Sequence, residues 1–204
     1  MFWNSKKKVL EDWLIMGCGF ICENDRVYEN IVTGYLPQID SSSEEFVAGK
    51  FLFRSFAVNG AIAGAALQQK LNQSTFDELQ MILKTVLIKG NKALPESNIF
   101  KRMGKNPRFQ VSEIPEPKSL FGGKGAEFMD KNFKAFTEYC AGDESASETL
   151  IDLYLEAFSH PIKDLDKGTK NSFKKIFMDF LYFSNLSVRF CARFSARFCA
   201  RFSA

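Results

Sequence analysis

The sequence predicts an all-α fold: a helical bundle of about seven helices, divisible into two subdomains and followed by a basic repeat tail. Three observations carry this expectation. Apolar residues recur at three- and four-residue spacing along most of the chain, the period of a single helix face. Three Ser/Thr-x-x-Glu boxes, Ser42 with Glu45, Thr75 with Glu78 and Ser145 with Glu148, match the pattern that satisfies the free N–H groups of a first turn. No two segments alternate convincingly as a strand pair would.

Val9, Trp13, Met16 and Phe20 define a first amphipathic helix from Ser5 to about Cys22. Asn24 is placed to cap a second, with Val27, Ile31 and Tyr35 on its face and Pro37 as its stop. The third and longest opens at the Ser42 box and runs to about Leu71. The fourth starts at the Thr75 box and ends at Gly90, a residue suited to a positive-φ terminator. A short helical turn is expected after Pro95, since Ile99, Phe100 and Met103 share a face.

Residues 1–104 therefore form an N-terminal helical region, and 105–118 a Pro-rich linker or loop with a brief alternation at Phe109 and Val111. Residues 119–187 form the C-terminal helical region. Its helices carry Phe128, Met129, Phe133 and Phe136, then the Ser145 box, then Phe173, Ile176, Phe177, Phe180 and Leu181, the last starting at Thr169 or Ser172. Residues 188–204 are the tail.

Composition limits the functional classes. The 22 phenylalanines among 204 residues point to a core packed with flat, rigid rings. The formal net charge is +3, but four of the positive charges belong to the tail, leaving the preceding chain at −1. A near-neutral body lacks the broad basic face that nucleic-acid binding requires. Five cysteines, odd in number and sparse, fit a reducing cytosol better than a disulfide framework. Glu11 and Asp12 interrupt the apolar run of the N-terminus, so no signal peptide is expected. The most apolar stretch, Phe51 to Leu67, contains Arg54 and Asn59 and reads as a buried helix rather than a membrane span.

Few residues suggest chemistry. His160 is the single histidine, which excludes a two-histidine metal site, and its place before Pro161 suits a role at a helix end. Cys18 and Cys22 share a helix face but supply only half of a tetrahedral site. Gly122, Gly123, Lys124 and Gly125 lie just before an expected helix, where free amides and a cation would form an anion site. They lack phosphate-loop spacing. Ala57, Gly60, Ala61, Gly64 and Ala65 form a ridge of small side chains that lets another helix approach closely.

The tail repeats Arg-Phe-(Cys/Ser)-Ala four times. As a helix it drifts by about 40° per repeat, spreading Phe190, Phe194, Phe198 and Phe202 over about 120° beside a similar arc of Arg189, Arg193, Arg197 and Arg201. That is the pattern of a basic amphipathic helix for an anionic membrane surface or a partner. As a strand the same letters would pair with copies of themselves, and as a single-strand binder they would lack a groove. Near-identical copies also fit a translated DNA repeat added to a body complete near Leu186.

The leading expectation is a non-enzymatic, cytoplasmic interaction protein, an inhibitor, escort or tether. It would bind a protein partner through an apolar helix face, and the tail would add a membrane or partner contact. A second reading is a carrier of an apolar small molecule or lipid in a Phe-rich bundle. A third is an enzyme using Lys124 with His160 or an acidic residue. No cofactor is expected.

Overall fold

The computed structural model describes residues 3–68, 71–94, 101, 105, 109–115 and 125–201, with 3–6, 125–126 and 186–201 described by backbone alone. Among the described residues there are six α-helices and no strand. They are α1 (Trp3–Tyr35), α2 (Glu44–Gln68), α3 (Gln73–Lys89), α4 (Gly125–Ala141), α5 (Ala146–Ser159) and α6 (Lys167–Arg201), with a 3-10 turn at Gly90–Ala93.

Six helices stand where about seven were expected because the first two are one. Asn24 does not start a helix. Its side-chain amide donates to the Phe20 carbonyl at 2.9 Å, and its side-chain oxygen accepts the Tyr154 hydroxyl at 2.9 Å. An unbroken stripe of Leu14, Cys18, Ile21, Asp25, Tyr28 and Val32 runs through the supposed boundary at alternating four- and three-residue steps, all buried. The expected second face, Val27, Ile31 and Tyr35, is one residue out of phase with it, so Tyr35 is exposed.

The capping residues also shift, by one residue toward the C-terminus at α2 and by several toward the N-terminus at α3 and α6. Ser43 accepts the Phe46 N–H ahead of α2, Asn72 accepts the Thr75 N–H ahead of α3, and Asp166 accepts the Gly168 and Thr169 N–H groups ahead of α6. An Asn or Asp oxygen serves as a cap at least as well as a hydroxyl. At α5 the expected Ser145 box makes no side-chain cap bond, and Asp143 accepts the Ser145 N–H instead.

α2 is the axis of the molecule. Every residue from Phe46 to Ala65 is buried, and the helix packs against α1, α3, α4, α5 and α6. By length and composition alone it would suffice to cross a membrane, yet 94% of its most apolar 18-residue window is buried inside the bundle. A helix apolar on all sides needs neighbours on all sides.

Two apolar clusters meet along α2. The first joins the N-terminal half of α1, one side of α2 and α3, together with Val111 and Ile114 from the 105–118 segment. The second joins Tyr28 and Val32 of α1 to the other side of α2 and to α4, α5 and α6. Residues 109–115 are held as an irregular strip against the end of α3. Asn91 donates its backbone N–H to the Val111 carbonyl at 3.0 Å and its side-chain amide to the Phe109 carbonyl at 2.9 Å, while Ile114 donates to the Ile88 carbonyl at 2.9 Å. The short helix expected after Pro95 falls outside the described residues except at Lys101.

Gly90 ends α3 with φ 55° and ψ −146°, a backbone region that side chains with a Cβ rarely adopt. A Cβ there would also be driven into the Val111 carbonyl oxygen. Gly90→Ala is therefore expected to cost more than about 2 kcal/mol. Thermal unfolding checks this, and a melting point unchanged from wild type would refute the assigned geometry.

Candidate functional site

The most concentrated charge in the core belongs to Arg54, whose side chain is fully buried on α2. Its Nε–H donates to Asp25 at 2.8 Å, and one terminal nitrogen donates to Asp25 at 2.7 Å and to the Ser112 hydroxyl at 3.1 Å. The other donates to the Leu87 carbonyl at 3.2 Å and the Ser112 carbonyl at 2.8 Å. All five guanidinium N–H groups are used. Lys50 adds a hydrogen bond to Glu29 and a looser ion-pair contact with Asp25 at 3.8 Å. Burial pushes the Asp25 carboxyl up, and Arg54 and Lys50 pull it down by a smaller amount. The cluster ties α1, α2, α3 and the 109–115 strip together. With every Arg54 donor occupied, none is free for a substrate.

A cleft opens where α1, α2, α4, α5 and α6 converge, lined by Asn24, Phe56, Gly60, Phe136, Tyr154 and Asn185 among others. The centre of a water-sized body can occupy about 20 Å³ of it, room for about one water. Tyr154 is fully buried, and its hydroxyl is held well above the ordinary phenol range by burial. The Asn185 side-chain oxygen is buried without a partner, as are both polar atoms of Asn132 on α4. Asn132 occupies a position where the apolar period would place a hydrophobic residue. Sequence reasoning did not single it out.

The outer face of α6 is different in kind. Ile176, Met178, Tyr182 and Phe183 are 42%, 55%, 60% and 64% exposed, four of the eight large exposed apolar side chains among the described residues. Phe173, Phe177 and Leu181 form the buried stripe between two exposed edges, Ile176 and Phe183 on one and Met178 and Tyr182 on the other, centred about 130° apart round the helix. The sequence assigned Ile176 to that core face. It lies instead on the rim, where a helix flanked by only part of the bundle leaves it uncovered. α6 carries eight Lys and Arg residues against the single Asp179, a net charge of +7. Because the chain totals +3, everything outside α6 sums to −4.

The backbone of α6 continues through the repeats as far as Arg201. Arg189, Phe190, Arg193, Phe194, Arg197, Phe198 and Arg201 are therefore placed on one continuous helix with Phe183. Phe202 lies outside the described residues.

Ala57, Ala61 and Ala65 lie in the first cluster against α1 and α3. Gly60 turns toward α4, where a Cβ would stand 3.2 Å from the Phe136 ring. Gly64 is buried in the same helix. Of the anion-site candidates, Gly125 begins α4, and Gly122, Gly123 and Lys124 lie outside the described residues. His160 is the C-cap of α5, and burial lowers its pKa. Burial also pushes Cys18 up to about 12 and Cys22 up to about 11, leaving both as thiols at neutral pH. Among the described residues no three His, Cys, Asp or Glu side chains are arranged to hold a metal ion.

No family model, no curated protein and no solved structure matches this chain.

Proposed function

We propose that this chain is a non-enzymatic interaction protein whose contact element is α6, displayed by a rigid aromatic bundle. The observation that carries the reading is the exposure of Ile176, Met178, Tyr182 and Phe183 within eight residues of one helix. Clustered exposed apolar side chains rimmed by charge mark contact surfaces on folded proteins. Here Lys174 and Lys175 sit among them and the basic repeats follow. The internal polar groups favour the same reading, because the Arg54 donors are committed to structural bonds and the thiols of buried Cys18 and half-buried Cys22 are held protonated. A carrier would need a cavity of several hundred Å³, and the cleft beside Tyr154 holds about one water.

Site-specific photo-crosslinking tests this. The full chain, carrying a photoreactive amino acid at Phe183 or, as a control, at the equally exposed Met81 on α3, is irradiated in the cells it comes from. A discrete adduct at Phe183 and none at Met81 is expected, whether the captured molecule is protein or lipid. Equal labelling at both positions, or none at Phe183, would overturn the reading.

A further inference from the structure

We infer that the surface α6 meets is an anionic lipid bilayer, with the helix lying in the plane of the headgroups. This rests on the reading of α6 as the contact element and names what it contacts. Two observations select lipid. The first is charge: α6 carries a net charge of +7, which repels a second copy of the same helix and attracts an anionic surface. The second is the width of the apolar sector. In α-helical register at 100° per residue, Ile176, Phe183, Phe190 and Phe194 fall within about 40° of one another, and the repeats carry the Phe positions round to a spread of about 80° by Phe198. A partner helix in knobs-into-holes contact takes a narrow seam with a fixed 3.5-residue period. The four-residue repeat departs from that period at every step. A fluid interface makes no such demand and accepts a broad apolar sector flanked by cations.

The geometry gives the contact ample length. From Leu181, the last buried core residue of α6 among those with described side chains, the helix runs 20 residues to Arg201, about 30 Å at 1.5 Å per residue. Phe183 stands in this sector at the start of that length, edge to face with Tyr182 at a centroid distance of 5.9 Å, and Tyr182 lies about 100° round the helix at the arginine side. Aromatic side chains of this kind are favoured at the headgroup boundary.

The test is sedimentation of the full chain with vesicles of phosphatidylcholine alone, and with vesicles in which phosphatidylserine replaces about a third of the lipid, at low and moderate salt. Binding to the anionic vesicles that weakens with salt is expected. Arg193→Gln combined with Arg197→Gln should weaken it about 30-fold, at roughly fivefold per basic residue near the surface. Tyr182→Ser with Phe183→Ser should weaken it while leaving thermal melting unchanged, since neither side chain belongs to the core. Equal binding to both vesicle types, or binding indifferent to the arginine changes, would overturn the inference. If the full chain ignores both vesicles while the Phe183 crosslinker captures a protein, the lipid inference falls and the contact reading stands. If the crosslinker captures nothing either, both fall.

Discussion

Arg54→Met is expected to lower the free energy of unfolding by about 3–5 kcal/mol, the range found when one member of a buried ion pair is removed. At this chain length each kcal/mol moves the melting midpoint by about 2–4 °C, so a fall of roughly 6–20 °C should be seen. The size of the effect comes from what is left behind. Asp25 would keep a buried carboxylate with only Lys50 nearby, 3.8 Å away and already bonded to Glu29. The Ser112 and Leu87 carbonyls would lose their donor in the same step. Urea denaturation of Arg54→Met, of Asp25→Leu and of the double variant separates these contributions. The double variant should be less destabilised than the two single losses added together, because an apolar pair leaves no uncompensated charge. A single-variant cost below about 1 kcal/mol, the scale of an exposed pair, would mean that Arg54 is solvated and the cluster is not the tie described above.

Arg54 also shows what the sequence could and could not reveal. An arginine inside "FLFRSFAVNG" is visible as an interruption of an apolar run, and it argues against a membrane span. Its partners are not visible, because Asp25, Leu87 and Ser112 lie 29, 33 and 58 residues away along the chain. The helical class and the extents of α2 and α3 were legible because periodicity and turn residues act locally. The join within α1 was missed because Asn24 resembles a cap. Its amide folds back onto the Phe20 carbonyl, and only the distant Tyr154 hydroxyl makes burial of the remaining oxygen tolerable. The 4-3-4-3-4 stripe from Leu14 to Val32 was the available signal, hidden by the charge of Asp25 in its middle.

The candidate contact surface divides in the same way. The repeats announce themselves as text, so Arg189 to Phe202 drew attention at once. Ile176, Tyr182 and Phe183 did not, because an amphipathic helix is expected to turn its large apolar residues inward. Ile176 sits beside the buried Phe173 and Phe177 and is exposed by its angle on the helix, whereas cover for Tyr182 and Phe183, just past Leu181, depends on how far the neighbouring helices reach along α6. α5 spans 14 residues against 35 for α6, about 21 Å against about 52 Å. A short neighbour cannot cover a long one.

Phe53→Ala should be the most damaging single change in the aromatic cluster, at about 3–5 kcal/mol. Phe53 is fully buried, with ring centroids 4.9 Å from Tyr28, 5.1 Å from Tyr154 and 5.9 Å from Phe177. One truncation therefore removes contacts to α1, α5 and α6 together. Phe53→Leu keeps much of the volume and should cost less than half as much. Chemical denaturation gives both values, and equal costs would show that the site collapses around either side chain. The pair also bears on function. Phe177 anchors the root of α6 against Phe53, whereas the proposed lipid contact uses the exposed edge that carries Ile176 and Phe183. Phe53→Leu should therefore lose stability and keep its vesicle affinity, while Tyr182→Ser with Phe183→Ser should keep stability and lose affinity. If the two properties instead fall together in both variants, the outer face of α6 is part of the fold and not a surface held out by it.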